Sequence, residues 1–481
     1  MEMTDVLIVG AGPTGLVLAA DLARRGVDAL LVERADGLFP GSRGKGLQPR
    51  TQEVLYDLGV LDAIRAAGSE YPTMRVWEGD VPGQEWDMME RSEPSEQVPF
   101  PDGWLTPQAR TQEVLYARLR ELGGEVRFGA GLTDLAQDAD GVTASFADGS
   151  TVRARYAVAA DGGRSTVRGL LGIGMTGETV DPKPMLVADV RITDDAPLPD
   201  THWHVWPKAA EGMVAFCPLP SDTGRVFQLA AQYADESALP DTSPAGVAEL
   251  LAGRTVLDEK HVAEVLWASD FRARAALADR FRSGRVFLAG DAAHVHSPAG
   301  GQGLNTSVQD AYNLSWKLAA VLAGAPESLL DSYEEERIPV AADILGVSTR
   351  IHRSATPVRR GGELRQLGIG YRESALTVET RADLPEDALR AGDRAPDGRP
   401  GGVRLFDAFR GPHWTLLAVG TGSGALPSLP GESVRTVSVP AYAAYGTGFF
   451  LVRPDGYVGW AGDTAEGAVE YLAGVGVTAG A

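Results

Sequence analysis

A single cysteine, Cys217, in 481 residues excludes an internal disulfide and a cysteine-built metal site. It lies in the apolar stretch Met213-Val214-Ala215-Phe216-Cys217, where a small buried side chain is a simpler reading than a reactive thiol. Basic residues are in deficit. With 44 Lys and Arg against 65 Asp and Glu, the formal net charge is −21. That balance repels phosphate backbones and anionic lipid, so neither nucleic acid nor membrane is an expected partner. No apolar run approaches the roughly 20 residues that span a bilayer. The N-terminal Met1-Glu2-Met3-Thr4-Asp5 has no basic region and the first strand begins almost at once, so a cytoplasmic protein is expected. The chain is too long for one core, and two or three domains are expected.

What is present begins with a nucleotide-binding pattern. An apolar strand, Val6-Leu7-Ile8-Val9, leads into Gly10-Ala11-Gly12-Pro13-Thr14-Gly15, an Ala/Leu-rich helix from Leu16 to Arg24, and a second strand ending at Glu33. In such a βαβ unit Gly10 allows the tight turn, Gly12 lets backbone approach a pyrophosphate, and Gly15 lets helix and strand pack closely. The helix N-terminus offers free N–H groups to the phosphate, and Glu33 is placed for ribose hydroxyls. A lone GxGxxG is weak among 58 glycines, but here strand, helix, second strand and acid all fall at the required spacing.

A second strand, glycine-rich loop and helix start spans Arg285 to Leu322. Val286-Phe287-Leu288-Ala289 passes into Gly290-Asp291-Ala292-Ala293-His294, then Ser297-Pro298-Ala299-Gly300-Gly301-Gln302-Gly303-Leu304-Asn305, and a helix with Trp316 and Leu318 on its apolar side. An acid at a strand end suits a sugar-alcohol hydroxyl, and free N–H groups at a helix start suit negative charge on a heterocycle. Between the two units lies Asp161-Gly162-Gly163-Arg164-Ser165-Thr166-Val167-Arg168.

GAGPTG, DGGRSTVR and GDAAHVHSPAGGQGLN, in this order and spacing over about residues 4 to 345, resemble the three signatures of the single-component FAD-dependent aromatic hydroxylases, the class A flavoprotein monooxygenases. Ser42-Arg43-Gly44 to Glu53, and Thr106-Pro107-Gln108 before a helix, resemble the phenol hydroxylase and bacterial aromatic polyketide branch. The resemblance implies an α/β fold: a Rossmann-like FAD-binding domain (1–70, 106–175 and 276–345) with an inserted β-sheet substrate domain (71–105 and 176–275). A helical connection (346–390), broken at Pro357 and Gly361-Gly362, and a thioredoxin-like C-terminal domain (391–481) follow.

The resemblance also implies roles. Gly10, Gly12, Pro13, Thr14 and Gly15 would carry the FAD pyrophosphate, and Glu33 with Arg34 the adenosine end. Arg43 and Gln108 would contact the phosphate or ribityl region. Asp161 and Gly162 belong to a fingerprint for FAD and NAD(P)H, although Asp161 could instead be a turn acid capping the Arg164–Arg168 segment. Gly290 and Asp291 would serve the ribityl chain, with a plain turn acid again the alternative for Asp291. Pro298, Gly301, Gly303, Leu304 and Asn305 would border the flavin ring. The implied chemistry is reduction of FAD by NADPH or NADH, addition of dioxygen at flavin C4a, and transfer of the terminal hydroperoxide oxygen to a large phenolic or polyketide ring. Baeyer–Villiger or antibiotic-inactivating oxygenation on the same scaffold, or a flavin-bound partner protein without turnover, are the alternatives. No catalytic side chain follows from the sequence, and either a monomer or a homodimer is compatible with it.

Other features carry less. Arg50-Thr51-Gln52-Glu53-Val54-Leu55-Tyr56 recurs as Arg110-Thr111-Gln112-Glu113-Val114-Leu115-Tyr116 without matching flanks, which reads as two helix starts. His202/His204 and His294/His296 lack an obvious third ligand, so no metal is expected. Trp203 and Trp206 are three apart, which counts against the flavin-halogenase WxWxIP motif. The tryptophans and phenylalanines of the inserted segments read individually as core. Near the C-terminus, Leu451 to Val458 reads as a hairpin, and Gly420-Thr421-Gly422-Ser423-Gly424 as a loop.

Overall fold

Val6-Leu7-Ile8-Val9 is apolar at every position because its strand, Glu2–Val9, is covered on both faces, as an interior strand of a parallel sheet must be. In the computed structural model, which describes residues 2–354, 359–421, 429 and 433–477, this strand lies inside an eight-stranded sheet. Ala29–Val32 runs parallel on one side and Thr151–Ala159 on the other; Val126–Arg127 and Val286–Leu288 extend the parallel set outward. Parallel strands send their loops out at one edge, so the loops after Val9, Val32, Ala159 and Leu288 converge. The helices Pro13–Arg24 and Gly303–Leu322 pack against each other over this sheet.

The second sheet also has eight strands, in the order His294–Val295, Val262–Ala278, Met175–Ile192, Val226–Gln232, Val214–Leu219, His202–Trp206, Thr73–Glu78, Val81–Trp86. Period-two alternation sorts its two faces. Leu186, Ala188, Val190, Phe216, Phe227 and Leu229 point one way into a core beneath the helix Pro244–Arg254. Cys217, Leu219 and Val226 point the other way, against Tyr71, Met88 and Met89. The inserted aromatics divide accordingly: Trp77 and Trp206 stack at 5.3 Å in the first core, whereas Trp86 and Trp203 are half-buried beside the second cluster. His204 belongs with the first set, accepting from Trp77 Nε1 at 3.0 Å, and burial pushes its ring down to about 4.

A five-stranded sheet forms the C-terminal domain, with Trp414–Val419 between Gly448–Val452 and Val434–Val439. The hairpin signal becomes the pair Gly448–Val452 and Val458–Gly462. The connecting segment departs from the expected helix. The helix Asp331–Arg353 runs through residue 346 and stops, and residues 359–390 hold one 3₁₀ turn, Gly362–Arg365, and a two-residue strand, Val378–Glu379. That strand pairs with Val458–Gly462, so this sheet recruits chain from before residue 391. Pro357 and Gly422–Gly424 lie outside the described residues.

Both copies of the repeated heptapeptide are helical, in Pro49–Asp57 and Gln108–Glu121, but neither threonine is a cap. Thr51 and Thr111 lie inside the first turn, and Thr111 Oγ1 donates back to the Pro107 carbonyl. Arg50 is buried against Glu53 and the Asp455 carbonyl, while Arg110 is exposed with Glu113 and Asp222.

Candidate cofactor and substrate site

At the carboxyl edge of the parallel sheet, glycines set the distances. Gly10 has φ +107°, and a Cβ there would stand 2.4 Å from the Ala160 carbonyl oxygen, so only glycine closes the turn beside the DGG loop. A Cβ on Gly15 would strike the Gly10 carbonyl at 2.0 Å, yet one on Gly12 would meet nothing within 4 Å. Gly12 is the N-cap of Pro13–Arg24, no side chain caps that helix, and its first turn has no acid. The result is an open cradle faced by free N–H groups, which suits a pyrophosphate.

Glu33 is spent partly on the loop itself. Its Oε2 accepts from Ala11 N at 2.9 Å and its Oε1 from Ala35 N at 3.0 Å, so a ribose hydroxyl would use the remaining lone pairs. Arg34 beside it is exposed. Asp161 divides its two oxygens: Oδ2 caps the short helix Thr166–Leu170 through Thr166 N at 2.8 Å and Val167 N at 3.2 Å, whereas Oδ1 is buried without a partner. The turn-acid role is therefore realised, and one oxygen remains for a ligand. Gly162 has φ +82° and open space around its Cα.

The third loop comes up against the first. A Cβ on Gly290 would stand 2.6 Å from Thr14 Oγ1, and Arg168 ties the DGG and GDAAH loops by donating to the carbonyls of Ala292 and Gly163, each at 2.9 Å. Asp291 projects into the open cleft, and the protein walls around it push its carboxyl upward against the pull of His294 and Arg43. Arg43 is exposed and lies over the rings of Phe39 and Trp267 at 5.4 and 5.8 Å. Gln108 accepts from Gly44 N at 3.0 Å, and Gly44 lies so close to Leu304 that a Cβ would be 3.0 Å from its Cδ1. Pro298 is exposed at the loop tip; Gly301, φ +63°, donates to its carbonyl at 3.2 Å. Gly303 opens the long helix, again with no side-chain cap and no acid in the first turn. Buried Asn305 joins the walls: Oδ1 accepts from Gln48 N at 2.7 Å, and Nδ2 donates to the carbonyls of Gly46 and Gly301 at 2.8 Å.

The expected residues after Val9, Ala159 and Leu288 thus meet in one cleft; Arg34, next to Glu33, is exposed. The sequence reading missed the support beneath the cleft. Asp310, fully buried, accepts from Gly290 N at 3.0 Å and Arg337 Nε at 2.7 Å, and lies 2.5 Å from His294 Nε2. Burial alone would raise its carboxyl, but His294 and Arg337 hold it down at about 2. His296 Nε2 contacts His294 Nδ1 at 2.9 Å, so the His294/His296 pair serves this network. Sequence carries little signal for it, since Asp310 stands among the polar residues Asn305, Thr306, Ser307, Gln309 and Asn313 of the helix Gly303–Leu322.

The fold and cleft define a flavin-dependent monooxygenase of the aromatic-ring hydroxylase type. Residues 3–348 match the family model "FAD binding domain" and residues 389–475 match "Aromatic-ring hydroxylase, C-terminal"; the chain belongs to this family of enzymes. It is 44% identical over 480 residues to a flavin-dependent monooxygenase of Mycobacteroides abscessus, covering 97% of this chain and 99% of that one. It is 36% identical to a rifampicin monooxygenase of Rhodococcus hoagii, covering 96% of each. A ternary complex of aklavinone-11 hydroxylase with FAD and aklavinone superposes with a TM-score of 0.83 at 33% identity, covering 99% of this chain and 98% of that one. No helix among the described residues is long and apolar enough to cross a membrane.

Proposed function

We propose that this enzyme uses FAD, NADPH or NADH, and dioxygen to hydroxylate a large phenolic or polyketide ring. The observation that carries the reading is the open, uncapped Gly12 cradle at the sheet edge, together with Asn305, which ties the Gly301 loop to Gly46 beside the segment that reaches Gln228 of the second sheet. Gly10, Gly12, Pro13, Thr14 and Gly15 would hold the pyrophosphate, Glu33 the adenosine ribose, and Asp161 and Asp291 cofactor hydroxyls. When bound, FAD supplies hydride acceptance and oxygen activation. The chain's own part is to orient the ring, exclude water, and present the N–H groups at Gly303 and Leu304 to negative charge on the isoalloxazine. We assign residues 1–70, 106–175 and 276–345 to FAD binding and 71–105 with 176–275 to the substrate. We place the reaction in the cytoplasm, where reduced nicotinamide is made. The 36% identity to a rifampicin monooxygenase favours antibiotic inactivation as the second reading.

Turnover with aklavinone, anhydrotetracycline and rifampicin under oxygen-18, with either nicotinamide, tests this. The expected result is one labelled oxygen per product on a polyketide ring and one nicotinamide oxidised per product. Labelled rifampicin alone would select the second reading, and nicotinamide oxidation with no oxygenated product from any of the three would end the proposal.

A further inference from the structure

Between the cofactor cleft and the second sheet lies a set of polar groups that the three motifs do not explain. Across that sheet, Trp267, Asp189, Gln228 and Cys217 are direct cross-strand neighbours on four successive strands, so their side chains share the face turned toward the cleft. Trp203, paired with Met74, continues the same face. Such a row is apolar where a sheet merely covers a domain. This one contains a carboxylate and an amide.

Lys45 reaches onto this row from the cofactor domain. Its neighbours are fixed on the flavin side: Gly44 to Gln108, and Gly46 to Asn305. Its own side chain turns the other way, donating to Gln228 Oε1, with Nζ 4.4 Å from the centre of the Trp203 ring. Arg360 approaches from a third element. Its guanidinium lies 5.7 Å from the Tyr71 ring centre and 3.3 Å from where a Cβ on Gly301 would stand, directly beside the flavin-edge loop. Two buried polar atoms in this group have no partner: Asp189 Oδ1 and Trp203 Nε1. Asp189 is 3% exposed. Both atoms stand on the sheet face turned toward the cleft, so each keeps an unused hydrogen-bonding position there.

The balance of charge says what. Burial pushes the Lys45 ammonium below the usual lysine range, Arg360 adds to the push, and Cys217 and Asp189 oppose it. Desolvation raises Asp189 to about 6 and Cys217 to about 11, so the thiol contributes no charge at neutral pH. Burial likewise raises Tyr71. Two cations face at most one reluctant carboxylate, with aromatic and methionine walls around them. A cationic substrate is repelled there, and a neutral hydrocarbon leaves both cations unmatched. A planar ring with an acidic hydroxyl satisfies them.

We propose that Lys45, with Arg360, binds an acidic phenolic or enolic hydroxyl of the substrate as its anion. The O–H bond breaks, its electron pair stays on oxygen beside the two cations, the proton leaves to water, and no electron is transferred. The phenolate produced is the electron-rich form of the ring that oxygen insertion requires. This assignment rests on the phenolic reading above, but its test does not need turnover.

The probe is 1,2-dihydroxyanthraquinone, whose ionisation is visible at wavelengths longer than the flavin band. It is titrated with pH while bound to the FAD-loaded enzyme. The bound dye is expected to ionise about one pH unit below the free dye, roughly a tenfold rise in acidity. Lys45→Met should remove that shift while FAD remains bound. Lys45→Arg should restore it, because a cation remains, and the exposed Lys208→Met should leave it unchanged. Dye that titrates as it does in solution, a shift that survives in Lys45→Met, or an FAD-loaded enzyme that does not bind the dye at all would each overturn the proposal. A normal shift in an enzyme that oxygenates none of the three polyketides would overturn the proposed function instead.

Discussion

Two regions of this protein bury charge, and they do so differently. At the junction with the C-terminal domain, Glu336 accepts from both Arg453 Nη atoms at 2.7 and 2.9 Å, from Lys317 at 2.7 Å and from Asn313 at 2.6 Å. Asp455 accepts from Arg453 and from Trp316 Nε1 at 3.0 Å. Each of these four charges is matched by its opposite. Around the cofactor cleft, by contrast, Asp161 Oδ1 and Asp189 Oδ1 are buried without partners and Asp291 faces open space. A closed network positions one domain on another; an unfinished one awaits a ligand.

The largest expected effect breaks the closed network. Glu336→Ala strands Arg453 and Lys317 in the interior, and losing one partner of such a set costs about 3–5 kcal/mol. Chemical denaturation should show that loss, and a cost below about 1 kcal/mol would mean the junction is not a unit. Removing residues 391–481 takes away the two Arg453 hydrogen bonds to Glu336 and the Asp455 acceptor of Trp316 Nε1, so a shortened chain should be unstable before its flavin chemistry can be judged.

A smaller effect is expected in the cleft. Asp291→Ala removes a carboxylate that already faces the opening, so stability should hold while FAD affinity falls. A hydrogen bond to a charged group is worth about 1.5–3 kcal/mol, or roughly ten- to hundredfold in the dissociation constant. Equal FAD affinity in a folded variant would make Asp291 only a turn residue.

The smallest effect has the opposite sign. The Asp189 carboxyl titrates near 6 in the folded protein against 3.8 for an unperturbed aspartate. The folded state therefore holds a proton that the unfolded chain releases. The stability this gives is fully present below about pH 4 and lost as pH rises through 6. Asp189→Asn should change nothing at pH 4 and raise stability at pH 8 by about 1–2 kcal/mol, within the limit of roughly 2.7 kcal/mol that two pH units allow. Destabilisation at pH 8 would show that the charged carboxylate is well paired after all.

The legible parts of the fold were those written locally. The glycine loops declare themselves because part of what each turn requires is local: Gly10 needs its positive φ, and Gly15 must clear the Gly10 carbonyl five positions back. The hairpin after Leu451 was legible for the same reason. Lys45 was not, because its partners Gln228 and Trp203 are more than 150 residues away and share a face only through the sheet register. Asp189 did leave a trace, a lone acid in Met185-Leu186-Val187-Ala188-Asp189-Val190, as did Lys317 within an apolar helix. The expected helix after residue 353 failed because Val378–Glu379 joins a sheet through two residues, too few to carry a period.

The measurement closest to the central claim is the FAD affinity of Gly12→Asp, read by quenching of flavin fluorescence beside the melting temperature of the apoprotein. Gly12 has the extended backbone of an N-cap, φ −73° and ψ 179°, with space around its Cα. Aspartate is among the best N-cap residues, so the apoprotein should melt at the same temperature or higher. The same carboxylate would occupy the cradle and repel a pyrophosphate, and FAD binding should weaken by at least about a hundredfold, or roughly 2.7 kcal/mol. A Gly12→Asp protein that binds FAD as tightly as the parent would contradict the account.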